Sequence, residues 1–107
     1  MHDLLTSGRY NEILDYSSTI LAKNPQNLKA LKYRAYALYF LGRYDEAISY
    51  YDKAIEIEPE SPSTYAGKSR ALEKLGRFVQ AQYYYKRAKG LGDKTHNLGD
   101  DKNEFGS

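Results

Sequence analysis

Residues 42–51 read Gly42-Arg43-Tyr44-Asp45-Glu46-Ala47-Ile48-Ser49-Tyr50-Tyr51, and the opening triplet recurs as Gly8-Arg9-Tyr10 and Gly76-Arg77-Phe78 at intervals of 34 residues. The same interval relates Tyr16, Tyr50 and Tyr84, and it separates Pro25 from Pro59. A period kept at once by a glycine, an aromatic and a proline marks a supersecondary unit stacked on copies of itself. The repeat is therefore the unit of architecture.

In the middle unit, Leu28 to Leu41 and Tyr44 to Ile57 are rich in helix formers and carry apolar residues three and four apart, which predicts two helices. Gly42 sits where the first must end in a left-handed residue, and Pro59 with Pro62 closes the second. Each unit is then a helical hairpin. On the second helix Ala47 and Ala54 flank Tyr51, and Ala81, Tyr85 and Ala88 repeat the arrangement one unit later. Small side chains there allow close helix approach while the tyrosine fills the space beside them.

At this point the sequence resembles the tetratricopeptide repeat (TPR) family. The matching residues are Leu31, Arg34, Ala35 and Leu38, then Gly42 through Ala47, Tyr51, Ala54 and Pro59. A weaker copy runs through Tyr65, Ser69, Leu72, Gly76, Ala81, Tyr85 and Ala88. The resemblance implies an all-α fold, a right-handed α-solenoid of helical hairpins with about two and a half TPR units and five helices. It divides the chain into an array over residues 1–89, with a half repeat at 4–25 and full repeats at 28–59 and 62–89, and a flexible tail at 90–107. Arg34 and Lys68 depart from the family by standing where an apolar residue is frequent, and Asp93 replaces the closing proline. In the first unit Leu4 and Leu5 match only the last turn of a first helix, so a helix from about Tyr10 to Lys23 is expected to stand without its partner.

Composition narrows the chemistry. The chain has 107 residues, a formal net charge of +2 and no cysteine, which excludes disulfides, thiolate zinc sites and cysteine nucleophiles. No uncharged run is longer than Ala35 to Gly42, too short for a membrane span, and Met1 to Tyr10 lacks signal-peptide character, so a cytoplasmic setting is expected. His2 and His96 fall in the weakly patterned ends, and Gly90-Leu91-Gly92 lacks the strand and helix of a phosphate loop. Asp100, Asp101, Asn103 and Glu104 do not match the spacing of a calcium loop. No enzyme, metal or cofactor is implied.

What remains is a surface. The resemblance implies that the first helices line a concave groove in which ligands bind. Leu28 to Leu41 holds Lys29, Lys32 and Arg34 with no acid, and Pro62 to Leu75 holds Lys68, Arg70 and Lys74 against Glu73, whereas Arg43 to Glu60 has six acids and two bases. Lys32, Tyr33, Tyr36, Tyr39 and Phe40 form one stripe at helical spacing, apart from the packing positions Leu31, Ala35 and Leu38. Some of these rings can equally cover the neighbouring hairpin. Together with Arg70 and Lys74, the stripe makes the expected peptide-binding set, suited to an acidic segment of another protein. The family's carboxylate clamp is a poor match, because Tyr36 and Gly67 stand where it has asparagines. Ile13 and Ile20, at the places of Ala47 and Ala54, together with Leu4 and Leu5, are the expected self-association surface. Single-stranded RNA binding and a fragment of a longer self-assembling array are the alternatives; low net charge counts against the former. The last helix replaces the apolar Ile48 and Ile55 with Gln82 and Lys89, which predicts that the array ends near Lys89.

Overall fold

The computed structural model describes the backbone of residues 2–96 and the side chains of residues 8–92. Within that span the chain is all-α, with α1 at His2–Lys23, α2 at Leu28–Phe40, α3 at Tyr44–Ile57, α4 at Pro62–Lys74 and α5 at Phe78–His96. Each helix packs on its neighbours in sequence, α1 on α2, α2 on α3, α3 on α4 and α4 on α5, while α2 and α4 meet only lightly. This is the layered order of an α-solenoid of paired helices.

The turns follow from the glycines. Gly42 and Gly76 have φ of 83° and 79°, a left-handed conformation that costs a residue with a Cβ. At the end of α2 the Gly42 amide donates to the Tyr39 carbonyl at 3.0 Å and the Arg43 amide to Leu38 at 2.9 Å; Gly76 and Arg77 repeat both bonds on Glu73 and Leu72. These paired bonds satisfy carbonyls that a helix end would leave open and reverse the chain into the next helix. Asn27 starts α2 by accepting the Ala30 amide on its side chain at 2.9 Å. Pro62 opens α4, where its missing N–H is no loss.

Two boundaries differ from the sequence expectation. Gly8 lies inside α1, which continues back to His2 instead of starting near Tyr10. Gly8 does not take the left-handed conformation of Gly42 and Gly76, so the helical hydrogen bonds run through it. At the other end α5 runs through Gly90 and Gly92 to His96, so residues 90–96 belong to a helix and not to the expected tail. Each glycine weakens that stretch by about 1 kcal/mol without forcing a turn. The tail from residue 97 on, with Asp100, Asp101, Asn103 and Glu104, and the side chains of His2, Leu4, Leu5 and His96, lie outside the described residues.

Ala35, Ala47 and Ala54 are fully buried between α2 and α3, with Leu31, Leu38 and Tyr51 beside them, and Ala71, Ala81, Leu72 and Tyr65 repeat the arrangement between α4 and α5. Arg34 and Lys68, the two basic residues at apolar family positions, bridge helices instead of snorkelling outward. Arg34 donates from Nη1 to the Leu14 carbonyl at 2.8 Å and to Ser18 Oγ at 2.6 Å, and its guanidinium lies 5.2 Å from the centre of the Tyr50 ring. Lys68 sits 2.6 Å from Asp52 and 4.1 Å from the centre of the Tyr84 ring. Burial works against the Lys68 ammonium, but Asp52 and the Tyr84 hydroxyl outweigh it and hold its pKa above the ordinary lysine value. Both residues thus tie the second helix of the preceding unit to the second helix of their own.

Candidate functional site

The groove between α2 and α4 has a volume of about 320 Å³ and is lined by Tyr33, Tyr36, Tyr51, Thr64, Gly67 and Arg70, with Lys32 at its edge. Its floor is made by one close contact. A Cβ on Gly67 would lie 2.5 Å from Tyr51 Cζ and 2.6 Å from its hydroxyl, so only glycine lets α4 cross Tyr51 at this distance. The missing side chain leaves a notch over the tyrosine. Tyr51 is 7% exposed, whereas Tyr33 and Tyr36 on the groove wall are 51% and 48% exposed.

The notch is polar at one end. Lys32 Nζ lies 3.0 Å from Glu58 and donates to Ser61 Oγ at 3.3 Å, and Thr64 donates to the same serine at 3.1 Å. Burial pushes the Tyr51 phenol up to about 12 while the Arg70 charge draws it back, so Tyr51 stays neutral at physiological pH. Among the described residues Arg70 makes no ion pair, and it is exposed at the groove wall. A carboxylate entering here meets one cation already held by an acid and one that is not.

The structure brings Lys32, Tyr33, Tyr36 and Arg70 of the expected set together around the notch. Tyr39 and Phe40 belong to an aromatic cluster on the side of α1 instead. Phe40 stacks on Tyr10 with ring centres 5.3 Å apart, Tyr39 meets Tyr44 edge-on at 5.4 Å, and Tyr36 reaches Phe40 at 4.7 Å. Phe40 nonetheless remains 48% exposed, while Tyr39 is half-buried against the core. Lys74, the last residue of α4, is exposed and lies outside the groove lining. Gly67, Tyr51 and Thr64 were not in the expected set. The signal for Gly67 was its place in the clamp pattern, which reads as a missing asparagine in sequence and as an opened floor in space.

Ile13 and Ile20 line a second groove of about 440 Å³ between α1 and α2, with Tyr16, Ser17, Ala30 and Tyr33. Both isoleucines are half-buried, Ile13 by packing against the core around Leu14 and Leu38. Here the cross-unit contact is inverted in size: Ser17 stands at the place of Tyr51, and Tyr33 at the place of Gly67. Among the described residues no group of three or more His, Cys, Asp or Glu side chains could hold a metal. No described helix is long and apolar enough to cross a membrane.

Residues 28–61 match the tetratricopeptide repeat family. No curated protein sequence matches the chain. Among solved structures, MamA MSR-1 superposes with a TM-score of 0.78 at 22% identity, covering 88% of this chain and 53% of that one. MamA AMB-1 superposes with a TM-score of 0.77 at 25% identity, covering 81% of this chain and 52% of its own. The chain spans about half the length of the MamA structures it matches.

Proposed function

We propose that the chain, whose residues 28–61 match the tetratricopeptide repeat family and whose fold is that of a repeat solenoid, is a non-catalytic protein-interaction module whose α2–α4 groove binds an acidic peptide segment of another protein. The observation that carries this reading is the notch over Gly67 and Tyr51, walled by the half-exposed Tyr33 and Tyr36 and flanked by Lys32 and Arg70. Rigid aromatic walls supply contact area at low entropic cost, and the cations orient a carboxylate beside it. The peptide's acid replaces Glu58 at Lys32 or pairs with Arg70, while an apolar neighbour enters the notch. Outside the notch, the half-exposed Phe40 and the exposed Lys74 add to the proposed binding surface, with Tyr39 packed behind Phe40, and a cytoplasmic setting is part of the proposal.

Titration with fluorescently labelled peptides that place one apolar residue among Asp and Glu, against basic counterparts of the same length, tests it. Acidic peptides should bind in a saturable and salt-sensitive way, with Tyr36→Ala weakening affinity by about 1–3 kcal/mol and Arg70→Glu mainly slowing association. Equal binding of basic peptides, or indifference to both substitutions, would refute the reading.

Self-association is a second reading, supported by the apolar groove that exposes Ile13 and Ile20 between α1 and α2. Leu4 and Leu5 join it from sequence alone. Sedimentation across a wide concentration range should then show a dimer that Ile13→Asp disperses, and a monomer at all concentrations would refute it.

A further inference from the structure

The 34-residue symmetry identifies what an open ledge at the far end of the array is built to receive. Ser69, Phe78, Ala81 and Tyr85 line a groove of about 440 Å³ between α4 and α5. One unit earlier the equivalent residues are Ala35, Tyr44, Ala47 and Tyr51 between α2 and α3, and α4 lies across them. The consequence for the tyrosine is large: Tyr51 is 7% exposed beneath Gly67, and Tyr85 is 55% exposed. Phe78 at the rim is 65% exposed. Thus the ledge presents the floor of a helix-on-helix contact with no described helix upon it.

Charge specifies the occupant further. In the two completed contacts, the incoming helix reaches back with a basic residue, Arg34 to Ser18 at 2.6 Å and Lys68 to Asp52 at 2.6 Å. The next position in that series is Lys86, which is exposed. Among the described residues a second copy of this chain offers Tyr33-Arg34 or Gly67-Lys68 at the docking position, and each would set a cation against Lys86. Tyr33 would in addition collide with Tyr85, where α4 needs glycine over Tyr51.

We infer that the α4–α5 ledge docks an amphipathic helix of a different protein, one that places glycine or alanine over Tyr85 and an acidic residue next to it against Lys86. This surface meets the α2–α4 groove at Arg70, which lines both, but its floor of Ala81 and Tyr85 is its own and the inference does not depend on the peptide reading. Its geometry is that of α4 on α3, with the sign of the cross-helix ion pair reversed.

The test uses the full chain and a synthetic peptide of residues 61–75 of this sequence, carrying Lys68→Glu, with the unaltered peptide as comparison. The Lys68→Glu peptide should bind at least about tenfold more tightly than the unaltered one, since a like-charge contact becomes an ion pair. Lys86→Glu in the chain should invert that preference, and Tyr85→Ala should weaken binding about tenfold or more with unchanged circular dichroism. Tyr36→Ala should have no effect, which separates this ledge from the groove. The proposal is overturned by an absence of saturable binding, by equal binding of the two peptides, or by a preference that Lys86→Glu leaves intact. Self-association of the unmodified chain that Tyr85→Ala abolishes would also overturn it, because the occupant would then be a second copy.

Discussion

Replacing Gly67 with alanine sets two known effects of opposite sign against each other. Alanine in a helix interior is favoured over glycine by about 1 kcal/mol. Against that, its Cβ would lie 2.5 Å from Tyr51 Cζ and 2.6 Å from Cε1 and the hydroxyl, well inside contact distance. The ring is 7% exposed and packed beside Ala47 and Ala54, so relief needs α4 to lift or the ring tip to swing into the notch. Overpacking of this kind costs about 1–3 kcal/mol, and with the propensity gain subtracted a net loss of about 1–2 kcal/mol is expected. Urea denaturation followed by circular dichroism reads this as a midpoint lowered by about 1 M, given a slope of about 1–1.5 kcal/mol per M for a chain of this size. Tyr51→Leu shortens the side chain that collides, so Gly67→Ala added to Tyr51→Leu should cost less than Gly67→Ala alone, a coupling readable in a double-mutant cycle. If Gly67→Ala raised stability by the full propensity gain, the close approach of α4 to Tyr51 would be wrong, and with it the floor of the groove.

Equivalent glycines should respond with opposite signs: Gly42→Ala and Gly76→Ala, at φ of 83° and 79°, should each destabilise by about 1 kcal/mol, while Gly8→Ala, helical and with open space around it, should stabilise by up to about 1 kcal/mol in thermal or urea unfolding. Arg34→Ala removes charged hydrogen bonds to α1 and should cost about 1.5–3 kcal/mol, visible as faster hydrogen exchange in α1 than in α2 and α3; protection of α1 equal to that of the central hairpin would contradict it. Alkaline titration should weaken the fold. Tyr51 ionises near pH 10 when unfolded and near 12 when folded, so its unfolded form binds fewer protons between those values and stability falls as pH rises through that window. Lys68, whose folded pKa is raised, likewise stabilises fully below its unfolded pKa and loses that contribution as pH climbs through the folded one, and Tyr51→Phe should flatten only the tyrosine share.

The hairpins were legible because their signals are local. Gly42 with Arg43 and Gly76 with Arg77 specify a turn within a few residues, and alanines seven apart specify a buried helix face whatever lies opposite. The limits of the helices were less legible at Gly8 and Gly90. There glycine stays within a helix, whereas at Gly42 and Gly76 it takes a positive φ and reverses the chain, and the residue type alone does not tell the two apart. Helical spacing makes the tyrosine stripe on α2 one surface, and packing gives its members different neighbours. Tyr33 and Tyr36 line the α2–α4 groove, with Tyr36 also meeting Tyr10 and Phe40, whereas Tyr39 and Phe40 lie outside that groove against Tyr44 and Tyr10.

By itself the sequence determined the period, the five helices, the hairpin pairing and the alanine-lined core, since each depends on residues within one unit or on its repetition. The tertiary structure alone decided what lies between units. It showed that Arg34 and Lys68 join helices, that Gly67 opens a floor over Tyr51, and that Tyr85, identical in place to Tyr51, stands exposed. The physical reason is that a side chain's role in a stacked array is set by the helix lying across it. That helix belongs to the next unit, 34 residues away in sequence, and only packing distances show whether it is there.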